Sequence, residues 1–382
     1  MAEYKTLVKK IPISPDKKTK QKDYLKKGQL PIVDQGQSLV GGYTDDANMT
    51  VECELPVIVF GDHTRAVKYI TFPFGAGADG IKVLQPKENI LPPFLYYGTQ
   101  YIVAKMPNRG YARHYQYVEK EDLPVPSLPE QERIVARIEE LFSQLDAGVE
   151  TLKKTKAQLA VYRQAVLKEA FNSAEVDCKM LPIAEILTKT RKGMSTGPFG
   201  TMIKKSDHKA TGVPMLGIEN IGRGRFVDGN KIYVTAEKAE ELKAFSLRAG
   251  DIIISRSGTV GEICAVPERA EGSLLSTNLM RVSLDNTMIR SDYFIALFQS
   301  KGIVLDQIKE LCKGSTRDFL NQTILKQIVF PVPSMEKQEE IVSIIEARMS
   351  VCDSIERTVD TALQQAEAMR QSILKDAFEG RL

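Results

Sequence analysis

The chain has 382 residues, enough for two or three domains with separate cores, and its 43% hydrophobic and 26% charged content is ordinary for a soluble globular protein. No run approaches the ~18 consecutive apolar residues of a membrane helix, and Met1-Ala2-Glu3-Tyr4 begins no apolar signal core, so a cytoplasmic protein with no membrane association is expected. Cys53, Cys178, Cys264, Cys312 and Cys352 are scattered and odd in number, which argues against a disulfide framework, and His63, His114 and His208 supply no metal-ligand spacing.

Residues 1–123 read as a mixed α and β segment. Val57-Ile58-Val59-Phe60 and Ile70-Thr71-Phe72 are strand-like and are followed by the turn Gly75-Ala76-Gly77. The lysine-rich opening from Lys17 to Lys27 is expected to be partly ordered at most. Residues 124–172 then read as one long helix. Pro124 and Pro126 resist helix, Ser127 can cap it, and Glu130 completes a capping box. Apolar residues recur at alternating steps of four and three through Ile134, Ile138, Leu141, Leu145, Gly148, Leu152, Thr155, Leu159, Tyr162 and Val166, the spacing of a coiled-coil seam.

Residues 173–330 form a second mixed segment. Ile252-Ile253-Ile254-Ser255 and Met280-Arg281-Val282 read as strands, Gly222-Arg223-Gly224 and Ser257-Gly258-Thr259 as turns, and 236–244 and 291–311 as helices. The last segment, 331–382, repeats the first helix. Pro124 to Phe171 aligns without a gap on Pro331 to Phe378 at an offset of 207, sharing the Pro-Val-Pro-Ser start, Gln131-Glu132, Ile134-Val135, Arg163-Gln164, Leu167-Lys168 and Ala170-Phe171. Its seam runs through Ile341, Ile345, Arg348, Cys352, Ile355, Val359, Ala362, Ala366, Met369 and Ile373, with Arg348 as an end or polar register point. Lys337 stands where the capping box needs Glu, so the second cap is expected to be the weaker.

Duplication of this kind implies two unlike heads on a repeated frame. The second head leaves the end of the first helix and returns to the start of the second, and domain termini usually lie close together, so the helices should run antiparallel. The fold class is therefore α+β: two mixed heads separated by two long antiparallel coiled-coil helices with pseudo-two-fold symmetry, in a dumbbell. The heads are mildly basic, 17 Lys+Arg against 14 Asp+Glu in 1–123 and 22 against 18 in 173–330. The frame is not, at 7 against 7 in 124–172 and 6 against 10 in 331–382. Cationic heads suit a polyanion, although ordinary scatter in surface charge gives the same partition.

Catalytic signatures are missing. There is no G-x-x-x-x-G-K-[ST] loop, no G-x-G-x-x-G turn after a strand and no H-E-x-x-H. A binder with no cofactor and no metal is expected rather than an enzyme.

The P-x-P-S-x-x-x-Q-E-x-I-V repeat resembles the specificity subunit of type I restriction-modification systems. Gly41-Gly42-Tyr43-Thr44-Asp45-Asp46, Val59-Phe60-Gly61-Asp62-His63-Thr64-Arg65 and Gly250 to Gly261 add to the resemblance, which covers nearly the whole chain. It implies target-recognition domains at 1–123 and 173–330, and conserved helical regions at 124–172 and 331–382. It also implies a bipartite double-stranded DNA site read one half per head, two docked modification (methyltransferase) subunits and restriction subunits held through them. DNA methylation, ATP hydrolysis and cleavage would belong to those partners. A helix from Leu128 to Phe171 would be about 65 Å long, capping the separation of half-sites near ~20 base pairs, and a spacing of about one helical turn fits one face of the duplex.

Candidate DNA-binding residues are the polar and basic loop positions Gln35, Gln37, Ser38, Tyr43, Thr44, His63, Thr64 and Arg65 in the first head. In the second they are Thr201, Lys204, Lys205, Ser206, Asn220, Arg223, Arg225, Arg256 and Ser257. Each residue type has a structural use as well. Asn220 and Ser257 can fix turns, Arg256 can pair with Glu262, His63 can pack at the surface, Tyr43 can brace its glycine turn, and Lys204-Lys205 can be a solvated pair. Two other function classes stand beside DNA recognition: a coiled-coil scaffold whose heads bind protein, and an enzyme with an unrecognised site.

Overall fold

A computed structural model of the chain describes residues 1–382 except 79, 108–109, 111, 173–177, 257–259, 301 and 313–319. It divides into two compact units, Met1–Lys154 with Val359–Leu382, and Thr155–Thr358. Each unit contains one head and part of both long helices, Leu128–Asn172 and Met335–Phe378.

In the first unit, strands Val8–Ile11, Ile81–Pro86, Val57–Gly61 and Val67–Ile70 form an antiparallel sheet in that order. Val57-Ile58-Val59-Phe60 is apolar without a break because both its faces are covered. Ile58 and Phe60 join the core built around helix Pro92–Lys105, while Val57 and Val59 join a second core with Val33, Phe74 and Ala76. That second core backs on a smaller sheet of Lys18–Thr19, Gly75–Gly77, Leu30–Val33 and Gly42–Thr44. The lysine-rich opening is thus more ordered than its composition suggests: Lys18–Thr19 pairs in parallel with Ala76 and Gly77 through its backbone, which leaves exposed lysines such as Lys20, Lys22 and Lys26 in water.

The second unit repeats the plan. Met194–Thr196, Leu279–Val282, Ile252–Ser255 and Ile263–Ala265 form the larger sheet. Ile252 and Ile254 pack in the core of helix Ser291–Gln299, whereas Ile253 joins Leu216, Cys264 and Leu275 on the opposite face. The helix expected over 291–311 is two helices, Ser291–Gln299 and Val304–Cys312, because Gly302 at φ +104° leaves helical conformation between them. The helix expected over 236–244 ends at Glu241 and tightens into a 3₁₀ turn, Lys243–Phe245. The strand expected at 70–72 is Val67–Ile70, where its pairing with Val57–Phe60 ends.

Within each unit the long helices run antiparallel. In the second unit Arg163 meets Asp353 and Glu356, both at 2.8 Å, and Glu169 meets Arg348 at 2.6 Å. In the first unit Arg370 pairs with Asp146 and lies 4.3 Å over the Phe142 ring. Arg163 and Arg370 are equivalent in the repeat, as are Asp146 and Asp353, so the duplication preserved one ion pair twice. Arg348, the misfit in the apolar seam, is a polar cross-link to the facing helix.

The seam itself is only partly apolar-to-apolar. Ile134, Ile138, Leu159, Val166, Ile341, Ile345, Cys352, Val359 and Ala366 are buried, but Gly148, Tyr162, Ile355 and Met369 are exposed. Towards the heads the buried face widens to include Val135, Phe142, Leu167, Ala170, Val342, Leu374 and Ala377. A helix that packs on a head needs the broad face of a 3.6-residue period rather than a strict 3.5-residue stripe.

The start of each helix also departs from expectation. The Glu130 carboxylate is taken by Arg133, at 2.9 and 2.7 Å, and the first turn hangs on the Ser127 carbonyl, which accepts from Glu130 N and Gln131 N. It is the second helix whose serine hydroxyl caps: Lys337 N donates to Ser334 Oγ at 3.3 Å. The stronger lock is the repeated glutamine. Gln131 is fully buried, accepts from Leu91 N at 2.9 Å and donates to Asn89 O at 2.9 Å and Pro126 O at 3.0 Å. Gln338 does the same with Arg290 N at 2.9 Å, Met288 O at 2.9 Å and Pro333 O at 3.0 Å. At the other end of each helix an aromatic side chain enters the head, Phe378 against Phe94 at 5.1 Å and Phe171 against Tyr293 at 5.6 Å between ring centroids. Among the described residues no helix is long and apolar enough to cross a membrane.

Candidate nucleic-acid interface

In the first head two of the loops singled out by sequence lie together. The loop 34–41 joins strands Leu30–Val33 and Gly42–Thr44 and carries Gln35, Gln37 and Ser38, the last two exposed. The turn 62–66 joins Val57–Gly61 to Val67–Ile70 and carries His63, Thr64 and Arg65. Thr64 Oγ1 donates to Gln35 O and links the two. The Gln35 Oε1 atom is buried with no hydrogen-bond partner among the described residues, so its amide is turned into the loop rather than out to a base.

The base of loop 34–41 is held by Lys68, which is 5% exposed. Its ammonium donates to Asp34 O at 2.7 Å and lies 3.5 Å from Asp34 Oδ1, which accepts from Gly36 N at 2.9 Å. Burial pushes the Lys68 pKa below its ordinary value, and the Asp34 carboxylate opposes that shift. In the adjoining turn Arg65 takes left-handed backbone, φ 61°, and its guanidinium donates to Met106 O at 3.3 Å, while His63 Nδ1 lies 3.1 Å from Ala112 O. Asp62 anchors the turn from below by accepting from Tyr115 N at 2.8 Å. Tyr43 is half-buried in its strand, where its amide donates to Leu25 O at 2.9 Å, and Thr44 Oγ1 accepts from Asp46 N at 3.2 Å.

The second head sorts its candidates into two groups. Thr201, Lys204, Lys205 and Ser206 are all exposed on the segment 197–209, which follows strand Met194–Thr196. Asn220, by contrast, is fully buried: its Oδ1 accepts from Gly217 N at 2.9 Å, and its Nδ2 donates to Val227 O and Gly229 O, both at 3.0 Å. A buried amide with these bonds made fixes a turn and presents nothing to a base edge. Arg223 and Arg225 sit on the hairpin of Ile221–Gly222 and Arg225–Phe226, and they reach Glu356 at 3.2 Å and Asp353 at 2.8 Å on the long helix. Burial would raise the Asp353 pKa, but Arg163 and Arg225 outweigh it and hold the carboxyl below its usual range. Arg256 is half-buried and donates to Leu320 O at 3.3 Å and Thr277 O at 3.2 Å; burial lowers its pKa. Ser257 lies outside the described residues.

Sequence reasoning missed the bracing residues Lys68, Gln131 and Gln338. Repetition marked the glutamines; Lys68 carried no signal beyond a cation inside a strand of apolar neighbours.

Two matches to one family model cover most of the chain. The model describes the type I restriction modification DNA specificity domain and matches residues 10–160 and again 185–365. The chain belongs to this family, whose members are the non-catalytic, DNA-recognising component of their systems. It is similar to the type I restriction enzyme EcoBI specificity subunit of Escherichia coli, with 26% identity over 91% of this chain and 74% of that protein. A second relative, the StySPI specificity subunit of Salmonella potsdam, is 25% identical over 68% of this chain, which spans only 58% of that protein's length. The fold is shared with a solved chain described under the assembly and conformational transition of the type I R-M system, at a TM-score of 0.68 and 16% identity, covering 100% of this chain and 97% of that one. The family assignment disfavours the protein-binding scaffold.

Proposed function

We propose that this chain reads a bipartite double-stranded DNA site, one half per head, for a type I restriction-modification complex. The observation that carries this reading is the pairing of unlike exposed polar loops with identical bracing at the base of each head. Residues 1–123 and 173–330 act as target-recognition domains, and 124–172 and 331–382 as the helical regions that hold partners. In the first head Gln37, Ser38, His63, Thr64 and Arg65 meet the duplex. In the second Thr201, Lys204, Lys205 and Ser206 do so, with Asn220 and Arg256 supporting their loops and Arg223 and Arg225 tying a hairpin to the frame. The complex works in the cytoplasm, and methyl transfer, ATP hydrolysis and cleavage reside in partner subunits.

Two modification subunits dock on the long helices, and restriction subunits are held through them. Exposed apolar residues on those helices support this: Ile344, Val351 and Ile355 fall at i, i+7 and i+11, one face of the second helix, and Val161 and Tyr162 are exposed on the first. Helix length sets the spacer between half-sites.

The test is a genome-wide adenine-methylation map of cells that carry this protein and its methyltransferase partner. Deleting this gene erases one bipartite motif. Survival of every methylated motif contradicts the reading.

A further inference from the structure

Among the described residues the most exposed large aromatic side chain is Phe199, at 65%, and Met202 nearby is 40% exposed. Among the described residues, neither belongs to an apolar cluster of the head. The ring is nonetheless firmly presented. Gly197 and Pro198, just before it, are buried, Gly197 N donates to Leu279 O at 3.1 Å, and a Cβ at Gly197 would overlap the Ser276 carbonyl. Just after it Gly200 takes left-handed backbone at φ 62°. The stem is therefore clamped to the sheet, and the chain turns away immediately after the ring at left-handed Gly200.

Its surroundings are cationic. Lys204, Lys205 and Lys209 follow within ten residues, and the one acid among them, Asp207, is engaged by Lys204 N at 2.7 Å. A single ring and a thioether on a segment that also carries three lysines are too small an apolar area for the core of a protein interface, which takes on the order of 800 Å² per partner. They match what a deformed duplex offers: phosphates for the lysines and one opened base step for the ring.

We propose that Phe199 is a specificity-determining wedge that enters a base step within the half-site read by the second head, with Lys204 and Lys205 on the flanking phosphates. This rests on the DNA-recognition reading above. The selectivity it adds is indirect, because steps that unstack easily accept the ring at lower cost.

The experiment uses the full chain with its methyltransferase partner and a duplex carrying the methylation-mapped motif, with 2-aminopurine placed in turn at each adenine position other than the methylated one. Binding should raise 2-aminopurine fluorescence at one step of one half-site. Phe199→Ala should abolish that rise and weaken binding roughly tenfold without changing the dependence on salt, and Phe199→Tyr should restore both. Lys204→Ala with Lys205→Ala should keep the rise but reduce the salt slope by about two. Wild-type fluorescence and affinity in Phe199→Ala would overturn the wedge while leaving DNA recognition intact. Loss of the methyltransferase from that variant, with DNA binding retained, would assign the ring to a protein interface and overturn it as well. A wild-type complex with no preference for the mapped duplex would remove the reading on which the wedge depends.

Discussion

The two units agree wherever a head meets a long helix and differ wherever a loop is exposed. At the helix starts Gln131 and Gln338 make the same three hydrogen bonds, and at the helix ends Phe378 and Phe171 enter the same kind of aromatic pocket. The loops share nothing comparable. The first head stiffens its exposed loop with a buried lysine on a part-buried aspartate; the second clamps its loop with a buried glycine and proline and ties a separate arginine hairpin to the frame. Identical mounts under unlike tips are what a part needs when readout must vary and position must not.

The sharpest way to break that comparison is to remove the mounts. Gln131→Leu and Gln338→Leu each strand one part-buried N–H and two carbonyls, at up to about 1–3 kcal/mol per unsatisfied group. Each variant should lose about 1–3 kcal/mol in urea unfolding, with hydrogen exchange rising only in its own unit. A silent variant at either position would end the equivalence.

The repeated ion pairs should differ in strength. Arg163 holds two carboxylates and its side chain is 18% exposed, while Arg370 holds Asp146, which is 60% exposed. Arg163→Met is expected to cost about 1–3 kcal/mol and Arg370→Met under about 1 kcal/mol, read from paired denaturation curves. Equal losses would mean that burial does not set their worth.

The smallest effect is on pH dependence. The Asp353 carboxyl titrates below its ordinary value when folded, so the unfolded chain binds its proton first as pH falls. The stability it contributes is fully present above the unfolded pKa of about 4 and disappears as pH drops through the lower folded value. Hydrogen exchange in the second unit should therefore accelerate over that acid window, and Arg163→Met should flatten the change. An unchanged acid profile in that variant would mean the ion network does not govern it.

Much of this architecture was legible in the chain. The offset repeat gave two long helices, and the return of the second head to the second helix gave their antiparallel pairing inside each unit. Loop chemistry brought 35–38 and 63–65 to notice, and Thr64 links the two loops. What escaped is long-range. Nothing local to Arg223 and Arg225 announces that they pair with Glu356 and Asp353, more than a hundred residues away. Asn220 has the composition of a reader and the burial of a brace. The seam residues beside the heads, Ile134, Ile138, Val166, Ile341 and Ile345, are buried, and the seam gives way further along the helices at Gly148, Tyr162, Ile355 and Met369. The repeated Asp146/Asp353 and Arg163/Arg370 identities were the one local hint of the cross-helix pairs.

Exchange of residues 173–330 for the corresponding head of a relative with a different specificity, followed by a methylation map, tests the modular reading most directly. The account predicts a hybrid motif, with one half-site and the spacer length retained and the other half-site replaced. A motif unchanged by the exchange, or altered in both halves at once, would contradict it.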